Sequence, residues 1–197
     1  MKGEIMKKED LIKLGIEAQK KIDDDNLEKI VCRQADASLR SPGVPAHYYR
    51  FFYFLTKIMK PKLCVELGTH TGISSACLAE GNPQGKVITV NHHDQLSKEC
   101  RRDNIEYLIQ DSYMSISLPG KIDILFIDTD HDGIRCGKEY EIYKDMIKPG
   151  GLVFFDDIHL FPCMDNFWNG FNPCEGEKFE LEVHGKAGFG VVIFKEA

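Results

Sequence analysis

Five short apolar runs, separated by longer segments that can form helices, are the feature that most constrains the fold of this chain. The runs are rich in β-branched and aromatic residues, as buried strands are. They comprise Leu63–Leu67, Lys86–Val90, Ile105–Ile109, Ile122–Ile127 and Leu152–Phe155. Near-continuous apolar strands with helix-length connections indicate a parallel sheet that is covered by helices on both faces. The pattern therefore predicts an α/β protein of the doubly wound class.

Two connections in this region are predicted to be helical. One helix is expected over Thr71–Glu80, after a glycine loop, and another over Tyr140–Ile147, which a Pro-Gly-Gly sequence ends. Phe161–Phe171 is instead predicted to be a loop. At the C-terminus, Phe179–Val183 and Gly190–Phe194 are β-rich and are joined by a connection too short for a parallel crossover. We therefore expect the sheet to end in an antiparallel pair.

The region before Pro61 has a different character. Glu9–Lys21 and Ala46–Met59 are predicted to be helical, and the Ser-Pro-Gly-Val-Pro sequence before the second helix is predicted to form a stiff loop. We expect residues 1–60 to form a helical segment that acts as a lid or as a homodimer element. Residues 61–197 are expected to form the main domain of a single globular unit.

Composition excludes several classes of protein. The chain of 197 residues carries 25 Lys and Arg against 31 Asp and Glu, and this net charge of −6 argues against a nucleic-acid partner. No apolar run approaches the length of a membrane helix, and the charged segment Met1–Asp10 lacks the apolar region of an export signal. The seven cysteines are scattered and form no C-x-x-C pair, which favours reduced thiols in a cytoplasmic protein.

A glycine loop follows the first predicted strand. The segment Cys64–Ser75 runs from an apolar strand through Glu66 into a turn with Gly68 and Gly72, and then into a predicted helix. Free N–H groups at a helix start attract anions, and a glycine lets a ligand approach the backbone. The spacing G-x-x-x-G lacks the middle glycine of G-x-G-x-x-G, so the fingerprint of nicotinamide-dependent enzymes is not met. A tight turn without a ligand would give the same spacing.

Polar clusters follow the other strands at the corresponding place. Asn91 ends the second strand, Asp111 and Ser112 follow the third, Asp128-Thr129-Asp130-His131 follows the fourth, and Asp156-Asp157 follows the fifth. In open α/β sheets the ligand site lies outside the carboxyl ends of the strands. All of these clusters are therefore expected to line one site.

Three motifs in this order resemble those of class I S-adenosylmethionine (SAM) dependent methyltransferases. They are V-E-L-G-T-x-T-G-x-S from Val65, F-I-D-x-D-H from Phe126 and K-P-G-G-L-x-x-F-D-D from Lys148. The chain is most similar to the small-molecule O-methyltransferases that use a divalent metal, which include caffeoyl-CoA, catechol and macrolide-sugar methyltransferases. The resemblance implies a Rossmann-like, seven-stranded sheet that is mostly parallel and ends in an antiparallel hairpin.

The resemblance implies a set of cofactor-binding residues. The glycine loop would hold the methionine end of SAM, with Ser74 facing its carboxylate. Asn91 stands where the family has an acid that holds the ribose hydroxyls. Asp111 would contact the adenine, although the alternative is that it caps the next helix. The implied set is Glu66, Gly68, Thr69, Gly72, Ser74, Asn91, Asp111, Ser112 and Asp130.

The acids after the fourth and fifth strands predict a metal site. Carboxylates from two adjacent strand ends offer the hard oxygen ligands that Mg²⁺, Ca²⁺ or Mn²⁺ prefers. By the resemblance the ligands are Asp128, Asp156 and Asp157, and the alternative is that some of these acids cap helices or face solvent. His131 would take a proton from the acceptor or orient a metal ligand. A local hydrogen bond is an equally simple role for His131.

Two aromatic segments flank these motifs. Tyr48 and Tyr49 belong to an aromatic run that either packs a helix against the sheet or, with Val44, covers the SAM pocket. The segment Phe161–Phe171, with Trp168, follows the metal-site acids and is expected to set acceptor specificity toward an apolar or planar molecule. Packing beneath the segment would give the same composition.

The sequence as a whole predicts an enzyme that methylates a hydroxyl of a small molecule, using SAM and a divalent cation, most simply Mg²⁺. The expected partners exclude nucleic acid and membranes and include a second copy of the chain. Two alternatives stay open. One is a non-catalytic ligand-binding or regulatory module on the same fold, which Asn91 motivates. The other is a metal-independent methyltransferase.

Overall fold

Seven strands form one sheet in the part of the chain that the computed structural model describes, residues 6–20 and 47–195. Their order across the sheet is β3-β2-β1-β4-β5-β7-β6. The strands are β1 Leu63–Leu67, β2 Lys86–Asn91, β3 Ile105–Ile109, β4 Ile122–Ile127, β5 Ile147–Asp156, β6 Gly176–Glu180 and β7 Phe189–Phe194. The first five strands pair in parallel, whereas β7 is antiparallel to both β5 and β6. The predicted doubly wound fold with a terminal antiparallel pair is confirmed.

Five α-helices lie on this sheet within the same described residues. They are α1 Lys8–Lys20, α2 His47–Met59, α3 Ile73–Gly81, α4 Gly133–Tyr143 and α5 Pro162–Gly170. Helix α2 packs against both α1 and α3, and α4 packs against α5. None of these helices is long and apolar enough to cross a membrane.

The two faces of the sheet carry separate apolar cores, which explains the uninterrupted apolar runs. All residues of β1 and β4 are buried. Along β4, Ile124 and Phe126 belong to the core beneath α2 and α3, whereas Leu125 and Ile127 belong to the core beneath α4 and α5. Successive side chains of a strand point to opposite faces, so a strand that is covered on both faces is nearly all apolar. The exceptions, Glu66 on β1 and Asp123 on β4, are buried acids that accept hydrogen bonds.

The order of the strands fixes where a ligand can bind. From β1 the chain moves outward to β2 and β3, and it then returns to β4 on the other side of β1. The strand order therefore reverses between β1 and β4, and a cleft opens at the carboxyl ends of these two strands.

Two of the predicted elements after β4 and β5 are wrong. The helix expected over Tyr140–Ile147 lies earlier, as α4, because the side chain of Asp132 accepts hydrogen bonds from the N–H groups of Ile134 and Arg135 and so starts the helix there. The expected loop Phe161–Phe171 contains the helix α5, which begins at a proline and buries Trp168.

Smaller differences occur elsewhere. Strand β6 lies three residues earlier than the predicted run Phe179–Val183, so the connection to β7 is longer than expected and contains a short 3₁₀ helix, Gly185–Ala187. Strand β5 begins five residues before the predicted run Leu152–Phe155, at Ile147, so the Pro-Gly-Gly sequence lies within a strand instead of ending a helix. The remaining helices and strands begin and end within a few residues of their predictions. The expected stiff loop over residues 41–45, with Val44, lies outside the described residues. Cys64, Cys136, Cys163 and Cys174 are free thiols.

Candidate active site

Two adjoining cavities open at the carboxyl ends of β1, β2 and β4. One has a volume of about 310 Å³, and Gly68, Asn91 and Ser112 are among its lining residues. The other has a volume of about 290 Å³, and Thr69 and Ser74 are among its lining residues. Asp128 and His70 line both cavities. The two cavities therefore form one elongated cleft along the loop between β1 and α3.

Gly68 lets this loop pass close to β4. Its φ angle is 98°, and a Cβ atom built there would lie 1.6 Å from the carbonyl oxygen of Asp128. The Gly68 N–H donates a hydrogen bond to the carbonyl of Val90 on β2, at 2.9 Å, and the Asp128 N–H donates to Leu67, at 2.8 Å. Only glycine fits at this position, because any side chain would push β1 and β4 apart at the floor of the cleft.

Glu66 lies fully buried beneath the loop. Its Oε2 accepts hydrogen bonds from Ser75 and from Thr89, the latter at 2.5 Å. Its Oε1 is buried and has no hydrogen-bond partner among the described residues. Burial raises the pKa of Glu66 to about 7, although hydrogen bonds from Ser74, Ser75 and Thr89 oppose the rise. A buried acceptor of this kind fits a positively charged or N–H donor group.

Arg135 organises the far end of the larger cavity. Its Nη2 donates to Asp111 Oδ1 and to Ser112 Oγ, both at 2.9 Å, and its Nη1 lies 3.2 Å from Asp130 Oδ2. Its Nε donates to the buried carboxylate of Glu139 at 3.1 Å. The guanidinium thus fixes three residues that the sequence motifs single out, and α4 supplies both members of the central ion pair.

A cluster of three carboxylates and two imidazoles occupies the ends of β4 and β5. His131 Nε2 lies 2.9 Å from Asp157 Oδ2 and 3.4 Å from Asp128 Oδ1. His184, from the connection between β6 and β7, places Nε2 2.8 Å from Asp157 Oδ1 and 3.5 Å from Asp156 Oδ1. Asp156 Oδ1 is buried and has no hydrogen-bond partner in the described part of the chain.

The charges of this cluster perturb one another. Burial, and then the neighbouring charges of Asp128 and Asp157, raise the pKa of Asp156 well above its usual value. Hydrogen bonds to Asp128 and Asp157 raise the pKa of His131 to about 10. Burial would raise the pKa of Asp157, but hydrogen bonds from His131 and His184 outweigh it and lower this pKa to about 2. Strongly perturbed groups in a cleft are typical of functional sites.

Known proteins resemble this chain in sequence. A probable caffeoyl-CoA O-methyltransferase from Dictyostelium discoideum is 27% identical over 127 residues, which make up 57% of this chain and 50% of that protein. The chain thus spans about half the length of this curated relative. Residues 65–158, which contain the glycine loop and all three acids of the cluster, match the family model described as a methyltransferase domain. This match and this relative support assignment of the chain to the class I SAM-dependent methyltransferases.

Solved structures agree with this assignment at the level of the fold. The chain superimposes on a putative caffeoyl-CoA O-methyltransferase from Staphylococcus aureus with a TM-score of 0.69 at 17% identity, over 91% of this chain and 99% of that one. It also superimposes on the O-methyltransferase TomG from Streptomyces achromogenes, solved in complex with SAM, with a TM-score of 0.66 at 17% identity, over 96% and 99% of the two chains.

The residues that the resemblance implies for SAM occupy different parts of the cleft. Thr69 and Ser74 line the smaller cavity, Gly68, Asn91, Ser112 and Asp130 line the larger one, Gly72 precedes α3, and Glu66 lies beneath the loop. The Nδ2 of Asn91 donates to the backbone of His93 at 2.8 Å. Asp111 Oδ1 accepts a hydrogen bond from the N–H of Tyr113, at 3.0 Å, and so caps a turn. Residues 110–121 are all described and contain no helix, so the alternative that Asp111 caps the next helix is wrong.

The carboxylate cluster has the composition of a site for a divalent cation. Asp128, His131 and Asp156 each offer one ligand atom, and these atoms lie within 4.8 Å of one another. Asp156, Asp157 and His184 form a second such group that shares Asp156. Three close carboxylates repel one another, and Asp156 Oδ1 has no hydrogen-bond partner among the described residues. These residues fit a divalent cation, which would satisfy both demands.

Sequence reasoning missed several groups in the cleft. Arg135 and Glu139 stand four residues apart on α4, a spacing that could have suggested an ion pair once that helix was placed correctly. His184 gave no signal, because only the strand order brings its connection to this place. His70 lines both cavities with a φ angle of 43°, a conformation that is uncommon for a residue other than glycine.

The two interpretations of the aromatic run apply to different residues. Tyr48 is buried and stacks on Phe189 at a ring-centroid distance of 5.3 Å, so it packs α2 against the sheet. Tyr49 lines the smaller cavity with Ser74 and His131. One residue of the run therefore covers the cleft while its neighbour anchors the helix.

Proposed function

We propose that this protein is an enzyme that transfers the methyl group of SAM to a hydroxyl of a small molecule, with the help of a divalent cation held by the carboxylate cluster. The proposal rests mainly on the position of Asp128. This one residue lines both cavities of the SAM cleft and also belongs to the carboxylate cluster. A cofactor in the cleft and an acceptor at the cluster would therefore be direct neighbours.

Each part of the cleft has a proposed binding role. Glu66 would accept a hydrogen bond from the amino group of SAM, and Ser74, in the first turn of α3, would face its carboxylate. Asn91 would hold the ribose, and the pair Asp111 and Ser112 would hold the adenine. Asp130, on the rim, would act through its ion pair with Arg135.

The cluster has a proposed catalytic role. When bound, SAM supplies an electrophilic methyl group, and the cation supplies positive charge that lowers the pKa of the acceptor hydroxyl. Asp128, Asp156 and Asp157 would hold the cation. His131 Nε2 would receive the hydroxyl proton, and the acceptor oxygen would take the methyl group directly, so the chain forms no covalent intermediate. The carboxylates that raise the pKa of His131 are those whose charge the cation would offset, which would bring His131 back toward the range of a base.

An exposed aromatic ring beside the cluster favours a planar or apolar acceptor. Phe161 is 48% exposed, and the centroid of its ring lies 6.3 Å from that of His131. An aromatic or other apolar acceptor would cover this ring while it presents a hydroxyl to His131.

The test combines binding with turnover. Isothermal titration with S-adenosylhomocysteine measures the cofactor site, with and without a divalent cation. Transfer of a radiolabelled methyl group from SAM to catechols, flavonoids and hydroxycinnamoyl thioesters measures activity, with and without a chelator. The key variant is Asp156→Asn, and its matched control is Asp145→Asn, an exposed acid just before β5, at the opposite end of the sheet.

The proposal predicts cofactor binding, turnover that the chelator abolishes, and loss of turnover in Asp156→Asn alone. Absence of cofactor binding would contradict the whole proposal. Turnover that survives both the chelator and Asp156→Asn would identify a metal-independent methyltransferase. Cofactor binding with no turnover on any acceptor would favour the non-catalytic module.

A further inference from the structure

His184 is held against the carboxylate cluster by the strand order and by packing. Its Nε2 lies 2.8 Å from Asp157 Oδ1 and 3.5 Å from Asp156 Oδ1. Its ring packs edge-on against the ring of Tyr48, with centroids 4.8 Å apart and planes at 89°. The buried Tyr48 therefore fixes the direction in which the imidazole points.

A second observation shows that this corner of the cluster is incomplete. Asp156 is only 4% exposed, yet its Oδ1, which faces the His184 Nε2, has no hydrogen-bond partner among the described residues. His184 Nδ1 is likewise buried without such a partner. An orphaned acceptor of this kind is costly unless a ligand completes its environment.

The three side chains offer a mixed donor set. One ligand atom each from Asp156, Asp157 and His184 lie within 4.8 Å of one another, and a second such group with His131 shares Asp156. Imidazole nitrogen is a good ligand for first-row transition cations, whereas Mg²⁺ prefers oxygen ligands alone and keeps much of its water. The position of an imidazole therefore bears on which cation binds.

We propose that His184 is a nitrogen ligand of the cation and that the site consequently selects a divalent transition cation, such as Mn²⁺, Co²⁺ or Zn²⁺, over Mg²⁺. This inference rests on the proposed function, because it concerns the cation of the same site. It adds a ligand from outside the matched segment 65–158, and that ligand changes the chemical class of the cation.

Asp157 gives the inference its structural support. Its two oxygens accept hydrogen bonds from different imidazoles, Oδ1 from His184 and Oδ2 from His131. A carboxylate shared in this way holds both rings in fixed orientations at the edge of the site. Because the hydrogen bond to Asp157 uses the Nε2 proton of His184, a cation would bind Nε2 in place of that proton, which would pass to solvent. The ring is already aimed at the site and would lose little freedom on binding, which favours ions that gain from a nitrogen ligand.

The experiment uses the full chain after removal of metal with a chelator. Binding of Mg²⁺, Mn²⁺, Co²⁺ and Zn²⁺ is titrated calorimetrically in the wild type, in His184→Gln and in His131→Gln. The control is Lys186→Gln, an exposed position in the same connection. Pulsed electron paramagnetic resonance of bound Mn²⁺ measures coupling to imidazole nitrogen. Binding of S-adenosylhomocysteine shows whether each variant keeps its fold.

The expected result is that the wild type binds Mn²⁺, Co²⁺ and Zn²⁺ at least about tenfold more tightly than Mg²⁺. His184→Gln should lower the affinity for these three cations by about 10–100-fold, change that for Mg²⁺ by less than about threefold, and remove part of the nitrogen coupling. Lys186→Gln should change neither. His131 is the proposed base, so any nitrogen coupling that remains in His184→Gln should disappear only when His131 is also replaced.

Equal affinity of the wild type for Mg²⁺ and the transition cations would overturn the inference, as would nitrogen coupling that His184→Gln leaves intact. Both results would leave cation-assisted transfer standing. If no divalent cation binds while S-adenosylhomocysteine does, the inference and the cation part of the proposed function fail together. Failure of the cofactor to bind the wild type would contradict the proposed function separately.

Discussion

Replacing Glu66 by glutamine should stabilise the metal-free protein, and increasingly so as the pH rises above about 4.5. The carboxyl group is fully buried, and burial raises its pKa from 4.5 to about 7. The folded state therefore favours the protonated form, so the contribution of Glu66 to stability is greatest below pH 4.5 and is lost as the pH rises toward 7. Glutamine is neutral throughout this range and escapes the loss. Its amide oxygen can still accept the hydrogen bonds that Ser75 and Thr89 donate to Oε2.

The magnitude follows from the two pKa values. A difference between 4.5 and about 7 corresponds to about 3 kcal/mol in the free energy of unfolding once the group is fully ionised. The advantage of Glu66→Gln over the wild type should grow from about 1 kcal/mol at pH 5 to about 3 kcal/mol at pH 8. The unpartnered group at the Oε1 position costs glutamine and protonated glutamate about the same free energy of folding at every pH. The pH dependence of the difference between the two proteins therefore reports only the charge of Glu66.

Urea denaturation of both proteins at pH 5, 6, 7 and 8 measures this difference. The matched control is Glu17→Gln, an exposed acid on α1, whose curve should run parallel to that of the wild type. The reasoning is refuted if Glu66→Gln and the wild type depend on pH in the same way. If Glu66 holds the amino group of SAM, the more stable variant should also bind the cofactor less tightly.

Three further predictions concern the rest of the cleft. Gly68→Ala should destabilise the fold by roughly 2–5 kcal/mol, which corresponds to a fall of roughly 4–20 °C in Tm, because the φ angle is positive and the added Cβ would clash with Asp128. In the control Gly120→Ala no atom lies within 4 Å of the added Cβ, so Tm should change little. Equal Tm values for the two variants would contradict this prediction. Arg135→Ala should lower the free energy of unfolding, measured by urea denaturation, by about 3 kcal/mol, because it leaves the buried Glu139 carboxylate without its guanidinium partner. Adding Glu139→Gln to this variant should restore most of the loss. If the effects of the two substitutions are purely additive, the two residues are not a coupled pair. Mn²⁺ at about 100 times its Kd should raise the Tm of the wild type by roughly 5–10 °C and should hardly change the Tm of Asp156→Asn. If Mn²⁺ raises the Tm of Asp156→Asn as much as that of the wild type, Asp156 is not a ligand of the cation.

The sequence was informative where local chemistry determines structure. The buried strands are nearly all apolar because both of their faces are covered, so their positions could be predicted closely from hydrophobicity alone. The acids that follow these strands could be placed together because the carboxyl ends of parallel strands lie at the same end of the sheet. The helix at Gly133–Tyr143 was predicted too late, although Asp132 is a good N-terminal cap, because the apolar residues toward the end of the segment gave the stronger pattern.

Partners from distant parts of the chain could not be predicted in this way. Arg135 and Glu139 lie on α4, after β4, whereas their partners follow β3. Arg135 donates a hydrogen bond to Asp111, and Glu139 accepts one from Ser112. No periodicity or spacing relates these residues, since the contact depends on the side of the sheet on which α4 lies. The sequence motifs single out Asp111 and Ser112 but carry no information about the groups that hold them.

His184 shows what one additional topological fact would have supplied. A short connection between β6 and β7 predicts a hairpin, but it does not say where the hairpin lies. Because β7 pairs antiparallel with β5, the start of β7 lies at the carboxyl end of β5, and Phe189 is paired with Asp156. The residues just before β7 must then lie beside the carboxylate cluster, whatever their sequence. A strand parallel to β5 would instead have begun beside the amino end of β5, and the connection before it could not have reached the site. The antiparallel strand next to β5 is therefore what makes an imidazole from the C-terminal hairpin available to the cation.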